Sequence, residues 1–296
     1  MSRIVYVNGN FLPEAEAKIS IFDRGFVFGD GVYEVVPVIR GRLADRDYFL
    51  QRLARSLDEL GIVWPCSKQE YQQALEQLVA RNALEEGIIY TQVTRGTADR
   101  QFTFPPDTPA TMTAFTQVMP LLDNPAAANG VSVVTTGEIR WLRRDIKSLN
   151  LLAQVLAKQY AADNDAGEAW MIENGFVTEG ASSSAYIVKD STVITRPLSN
   201  RILPGIRRRR LLELAEAAGI ACEERRFNLE EALAADEAFI SSATTILHPV
   251  VSIDGKPVGN GKPGPLSRRL RQLYIDHMLE EVGAGATTPP LRGTPP

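Results

Sequence analysis

The residues of this chain best suited to chemistry are one lysine and one carboxylate in two short blocks. Lys147 lies in Asp145-Ile146-Lys147-Ser148-Leu149-Asn150, and Glu179 in Val177-Thr178-Glu179-Gly180. A lysine amine attacks carbonyl carbon once it has lost its proton, which near neutrality takes desolvation or neighbouring cations. Ile146 and Leu149 flank Lys147, and Arg143 and Arg144 precede it, so the local sequence offers both influences. Most lysines are solvated surface charges, and Glu179 read locally also fits an outward-facing strand position, so neither residue decides the matter alone.

A third block offers a seat for an anion. Gly205-Ile206, followed by Arg207-Arg208-Arg209-Arg210, opens a helix, where the macrodipole is positive and cations are unfavourable. Phosphate on the first-turn amides would offset that charge; a solvated basic face is the plainer alternative. Arg52 is a second candidate, because a guanidinium grips phosphate with two hydrogen bonds. Amine, carboxylate and phosphate seat together are what pyridoxal phosphate requires: a partner for its aldehyde, a group that keeps its ring nitrogen protonated, and an anion cup. Gly259-Asn260-Gly261-Lys262-Pro263-Gly264 fits a dinucleotide fingerprint only formally, since a proline interrupts it and too little chain follows for a βαβ unit.

These residues need elements to position them. Leu50, Leu53, Leu57 and Leu60 recur at helical spacing before Gly61, so residues 48–60 are expected to bury one stripe. Ser67 and Glu70 form a capping box that opens a helix through Tyr71, Leu75, Leu78 and Val79 towards Gly87. Residues 89–94 and 111–115 read as strands around a polar loop long enough to cover a site, and 131–135 as a further strand. Beyond Lys147, the residues Leu149, Leu152, Val155, Leu156 and Tyr160 share a helical face, which puts the lysine at a junction leading into a helix. Asn174-Gly175 marks a hairpin with Glu179 on its second strand, and 186–188 and 193–195 continue an antiparallel run. Helices are expected at 206–217, at 229–234 behind an Asn228 cap, and at 266–281.

With 296 residues, the chain is long enough for two domains or one large α/β unit. Hydrophobic content of 44% with 23% charged residues is that of a soluble enzyme, and no apolar run approaches the roughly 20 residues of a membrane helix. The first residues read as a strand and turn rather than an export signal, so a cytoplasmic location is expected, with no membrane partner. A net charge of −4 removes the electrostatic basis for nucleic-acid binding. Cys66 and Cys222 suit a reduced compartment and are expected to serve packing, while His248 and His277 are too few to build a zinc cluster. No Gly-x-Ser-x-Gly elbow supports a serine hydrolase.

Asp23-Arg24-Gly25-Phe26-Val27-Phe28-Gly29-Asp30-Gly31-Val32-Tyr33-Glu34, then Thr94-Arg95-Gly96, then the Lys147 block, then Thr178-Glu179-Gly180-Ala181-Ser182-Ser183 stand in one order along the chain. In these blocks, from about Val5 to Leu279, the chain resembles the class IV aminotransferases, which are the fold type IV pyridoxal phosphate enzymes, and among them the D-amino-acid transaminases. The resemblance implies an α+β, α/β two-domain fold, with a smaller N-terminal α/β domain over residues 1–120 and a linker at 121–130. A larger cofactor-binding domain on a bent antiparallel sheet would follow at 131–283, with a flexible tail at 284–296.

The resemblance also implies the cofactor pyridoxal 5'-phosphate and a homodimer that completes each site. Lys147 would be the aldimine lysine and proton carrier, and Glu179 the partner of the pyridine nitrogen. Arg52, Ile206, Arg207, Ala243 and Thr244 would hold the phosphate. Tyr33 and Arg100 would bind the substrate carboxylate, Arg100 reaching in from the partner subunit. The reaction would be ping-pong transamination of a D-amino acid such as D-alanine with 2-oxoglutarate or pyruvate. Branched-chain L-amino-acid or R-selective amine transamination and aminodeoxychorismate lyase chemistry share the same lysine and glutamate. Departures from the family pattern are Phe102 and Phe49 in place of histidines, Ser184 in place of asparagine, and Arg207 and Ala243 in place of threonines.

Overall fold

A computed structural model describes residues 2–284; the tail expected beyond them lies outside the described residues. Strands β1 (Ile4–Val7), β2 (Asn10–Pro13), β3 (Gly31–Ile39), β4 (Arg42–Leu43), β5 (Glu86–Thr94) and β6 (Thr111–Val118) form one sheet in the order β2-β1-β6-β5-β3-β4. Its pairings are all antiparallel. The second sheet is built from β7 (Val131–Gly137), β8 (Glu168–Glu173), β9 (Phe176–Gly180), β10 (Ser184–Lys189), β11 (Thr192–Thr195), β12 (Cys222–Glu224), β13 (Glu237–Ser241), β14 (His248–Ile253) and β15 (Lys256–Pro257). Its order is β12-β11-β10-β13-β14-β7-β8-β9, with β15 on β14. It is mixed: antiparallel from β11 through β10 and β13 to β14, but parallel where β7 meets β14 and β8, and where β12 meets β11.

Eight helices among the described residues pack around the sheets: α1 (Arg24–Phe28), α2 (Arg46–Leu60), α3 (Lys68–Arg81), α4 (Pro125–Asn129), α5 (Leu152–Asp163), α6 (Ile206–Ala217), α7 (Leu229–Leu233) and α8 (Pro265–Ala284). The buried stripe of α2 runs through Phe49, Leu53 and Leu57, with Leu50 and Leu60 at its margins, so the helical period holds while the stripe is rotated towards Phe49. The Ser67–Glu70 capping box opens α3, and the same device, Asn228 with Glu231, opens α7. α3 ends at Arg81 rather than near Gly87. Gly87 instead lies in β5 at φ 153, where a Cβ would come within 2.1 Å of the Gln117 carbonyl oxygen, so only glycine lets β5 and β6 approach.

Residues 120–130 are more than a spacer. Asn124 caps α4, and Leu121 is fully buried, its amide and that of Leu122 both donating to the Glu86 carboxylate. The core there draws on both sheets: Ile39, Ala44 and Ile88 pack with Tyr186, Phe239 and the α8 residues Leu270, Tyr274 and Met278. The formal dinucleotide motif is a loop from β15 into α8, and the Glu237 carboxylate already accepts the first amides of that helix, from Leu266 and Ser267 at 2.8 Å each. Cys66 packs against the first core, whereas Cys222, expected inside, is exposed on β12.

The apolar face of α5 points the unexpected way. Ala157 and Ala161 are its buried residues, while Leu152, Val155, Leu156 and Tyr160 are exposed, as are Ile139, Trp141 and Leu142 just upstream. Among the described residues no helix is long and apolar enough to cross a membrane.

One buried group couples the fold to pH. His248 on β14 is 5% exposed, its Nε2 has no partner, and burial, seconded by Arg271, pulls its pKa from 6.5 to about 4. The unfolded chain takes up this proton below pH 6.5 and the folded chain only near 4, so the contribution is complete above 6.5 and is lost as pH falls between those values. In thermal melts across that interval, His248→Leu should lose less midpoint temperature than the unaltered protein; parallel slopes would show that His248 is not the group responsible.

Candidate active site

Lys147 sits in a segment of turns and bends that leaves the second sheet and runs against the start of β3 in the first. Its carbonyl accepts from the Tyr33 amide at 3.0 Å, and the Leu149 amide donates to the Gly31 carbonyl at 3.0 Å, so Ser148 bridges Val32 at the start of β3. The Lys147 amide donates to Ser56 Oγ on α2 at 3.3 Å. Gly29, which closes α1 at φ 67, also serves this contact: a Cβ there would lie 2.8 Å from Asn150 Oδ1. Ile146 and Ser148 are buried, and between them Lys147 faces a cavity that all three line, its Nζ 4.1 Å from the centre of the Tyr33 ring.

The arginines expected to influence the lysine turn elsewhere. Arg143 binds Asp145 and Glu59, and Arg144 binds Glu173 and Glu138, so their charge is taken up by carboxylates. Asp145, lifted by burial but lowered more by Arg143 and Arg55, rests below the usual carboxylate range. Arg144 first, and Arg201 with it, hold Glu173 down at about 2. The segment bearing Lys147 is thus tied on both sides by ion pairs.

The cavity, of about 530 Å³, is lined by Lys147, Tyr33, Arg52, Glu179, Ile206, Arg207, Ala243 and Thr244. The hairpin at Asn174-Gly175 delivers Glu179 on β9 as a buried side chain, not an outward-facing one. Arg140 donates to Glu179 Oε1 at 2.7 Å, and the Leu203 amide reaches both carboxylate oxygens at 3.1 and 3.2 Å. Burial raises the Glu179 carboxyl above its ordinary range, with Arg140 and the Leu203 amide opposing. Arg140 is itself fixed by Glu138, at 2.9 Å from Nε and 2.6 Å from Nη2.

Arg52 forms a two-bond fork with Glu34, at 2.8 and 2.6 Å, and Glu34 is fully buried. α6 starts at Ile206 behind Gly205 with no side chain capping its first-turn amides. Its arginine run is balanced by carboxylates: Arg207 and Arg210 meet Asp45, Arg208 meets Glu224, and Arg209 meets Glu213. Asp45, His277 and Glu281 bring metal-type ligand atoms within 4.8 Å of one another, but the two guanidiniums already occupy Asp45. The turn after β13 collects the hydroxyls of Ser242, Thr244 and Thr245, and closes on Ile246 at φ 56, a strained angle for a β-branched residue. Ser184 lines the cavity, as does Phe49, which is core-packed.

Arg100 stands apart from these residues. It is exposed on the loop between β5 and β6, its guanidinium over the rings of Phe28 at 5.4 Å and Phe102 at 5.2 Å. The sequence had not singled out Glu34, Arg140, Leu203, Ser242 or Asp45. Glu34 had a signal, a charge within the inward-facing series Val32, Val36 and Val38, all fully buried. Arg140 had none, because its segment has no periodic pattern.

The class of protein is defined by comparison with known families: the amino-transferase class IV model matches residues 31–253, and the chain belongs to that family. As a class IV aminotransferase it depends on pyridoxal 5'-phosphate. Among relatives, it is 42% identical to a D-alanine aminotransferase of Staphylococcus aureus over 91% of this chain and 96% of that protein. It is 41% identical to the D-alanine aminotransferase of Bacillus licheniformis over 94% and 98%. Among solved structures, a branched-chain amino acid aminotransferase of Escherichia coli superposes with a TM-score of 0.88 at 23% identity, covering 94% of this chain and 95% of that one. A branched-chain aminotransferase of Thermoproteus uzoniensis, solved with norvaline, superposes at 0.85 with 24% identity over 95% of this chain and 96% of that one. The two-domain fold type IV architecture is therefore that of this chain.

The donor set fits the cofactor. Uncapped helix amides, the 242–245 hydroxyls and Arg52 suit a phosphate, and Arg207 Nε and Nη2, buried without a partner, point the same way. Glu179 supplies a shielded carboxylate for a protonated ring nitrogen. Because Arg140 opposes the burial that raises the Glu179 carboxyl, Arg140→Met should retain the cofactor but slow turnover by on the order of tenfold, the worth of a charged hydrogen bond. Unchanged single-turnover rates in that variant would remove Arg140 from this role.

Proposed function

We propose that this enzyme transaminates D-amino acids such as D-alanine, with 2-oxoglutarate or pyruvate as acceptor, in a ping-pong cycle. The observation that supports it most is that Lys147, Glu179 and the phosphate-type donors line one cavity in a chain 41–42% identical to D-alanine aminotransferases. Lys147 Nζ would hold the cofactor through its aldehyde. The Lys147 amine, when free, would be the base placed to take the proton from the substrate α-carbon. Tyr33, whose ring lies beneath Nζ, and Arg100 bind the substrate carboxylate. Glu179 would keep the ring nitrogen protonated, and Arg52 with residues 206, 207, 243 and 244 would hold the phosphate. When bound, pyridoxal phosphate supplies the electron sink.

The second element of the reading is a homodimer. The outward apolar face of α5, with Trp141 and Leu142, is a surface that a second copy would cover, and an exposed Arg100 outside its own cavity suits a group that serves the partner's site.

Lys147→Ala should abolish transamination of every donor; residual multiple turnover by this variant would refute the assignment. Arg100→Ala should raise KM for D-alanine by tenfold or more while affecting a carboxylate-free amine little, because only the former needs the guanidinium. Co-expressed, Lys147→Ala and Arg100→Ala chains should regain activity at low D-alanine, since a mixed dimer holds one site with neither defect. Failure to complement would mean that Arg100 serves its own subunit.

A further inference from the structure

Two of the sequence blocks, residues 23–34 and 94–96, take little direct part in the cavity, yet the structure joins them through a buried triad. Asp30 accepts Arg24 Nε at 2.8 Å and Arg95 Nε and Nη2 at 2.8 and 3.1 Å. The side chains of Arg24 and Arg95 are only 4% and 7% exposed, and that of Asp30 12%. The two arginines then diverge. Arg95 donates to the Leu60 and Gly61 carbonyls at 2.6 and 2.9 Å, closing the C-terminus of α2, the helix that carries Arg52. Arg24 donates through Nη1 to the Gln101 carbonyl at 2.6 Å, and its amide donates to the Gly96 carbonyl at 2.8 Å.

Gln101 is the neighbour of Arg100, and the Arg24 guanidinium also stacks 4.7 Å from the Phe28 ring, over which Arg100 lies. The tip of an exposed loop is thereby pinned by a buried, charge-assisted hydrogen bond, and one ring is shared between the pinning arginine and the presented one. From 99 to 104 every residue is exposed, and the loop's other side-chain restraints are ring contacts, Phe102 on Phe28 at 5.5 Å and Phe104 on the Arg95 guanidinium at 3.6 Å.

We propose that Arg24, held by Asp30, is a positioning residue for substrate binding: it fixes the loop at Gln101 so that Arg100 presents its guanidinium to the substrate carboxylate. This rests on the reading above that Arg100 binds that carboxylate. Arg95, on the same aspartate, secures the C-terminus of α2 and stacks on the Phe104 ring at 3.6 Å, so what sets Arg24 apart is its bond to Gln101 beside Arg100.

The test is a double-mutant cycle of Arg24→Gln and Arg100→Ala with D-alanine as substrate, alongside thermal midpoints and the cofactor Kd. Arg24→Gln should raise KM on the order of tenfold, the value of one charge-assisted hydrogen bond, with kcat within about twofold and the cofactor Kd unchanged. In the Arg100→Ala background it should add nothing. Arg24→Lys, which keeps the charge beside Asp30 but lacks the second guanidinium nitrogen that reaches Gln101, should reproduce the KM effect and carries the test if the glutamine variant fails to fold. An unchanged KM, or effects that multiply in the double variant, would overturn the proposal. If Arg100→Ala alone leaves KM unchanged, the carboxylate reading itself is wrong, and that result is visible before Arg24 is considered.

Discussion

The arrangement depends on a short stretch of backbone pairing, in which residues 147 and 149 exchange hydrogen bonds with Tyr33 and Gly31 at the start of β3. Here the chain, having left β7, returns to the first sheet and is held against it. The pairing fixes a segment of turns so that Lys147 faces the cavity, with the more deeply buried Ile146 and Ser148 lining it on either side. Ser56 on α2 binds the Lys147 amide, and Arg52 lies one helical turn before it, so the lysine and the phosphate-type arginine share one rigid support.

Around that pairing, the site is built from buried charges that neutralise one another. Glu34 with Arg52, Glu138 and Glu179 with Arg140, and Asp45 with Arg207 and Arg210 are each removed from water. Such pairs add little net stability over apolar packing, yet losing one partner costs about 3–5 kcal/mol because the other is stranded. Their value here is directional. A guanidinium forked to a carboxylate cannot swing, so its remaining N–H groups and the carboxylate's neighbours keep fixed positions before any ligand arrives. The same logic explains how α6 tolerates four arginines in its first turns: carboxylates from α2's N-terminus, β12 and α6 itself meet them.

Much of this was legible in the sequence where local rules and tertiary packing agree. The capping box of α3 and the Asn174-Gly175 hairpin were found where expected, since both are set by backbone geometry within a few residues. α5 shows the limit. Its periodicity marks an apolar face, but whether the chain's own core or another surface covers that face is a tertiary fact, and the alanines of the other side are what the chain buries. Arg143 and Arg144 illustrate the same point for charge: proximity to Lys147 in sequence says nothing of the carboxylates, Glu59, Glu138 and Glu173, that folding brings to them from distant elements. Glu34 was readable from its place in an apolar alternating strand, whereas Arg140 and Leu203 are irregular-loop residues defined only by where the two sheets meet.

The structure also separates what sets the reaction from what chooses the substrate. Lys147, Glu179 and Arg52 lie within one cavity, the lysine held through its backbone and the other two side chains held by buried ion pairs. Arg100, which on the proposed reading binds the substrate carboxylate together with Tyr33, lies with Phe102 on an exposed loop. Replacing a histidine by Phe102 removes a polar donor but gives Arg100 a second aromatic face, 5.2 Å away, and leaves every contact of the lysine untouched. Substitutions on such a loop change affinity for a carboxylate without disturbing the amine, the ring-nitrogen partner or the phosphate seat. Reaction type is therefore the property most firmly carried by the buried residues, and donor preference the one most open to change at the surface.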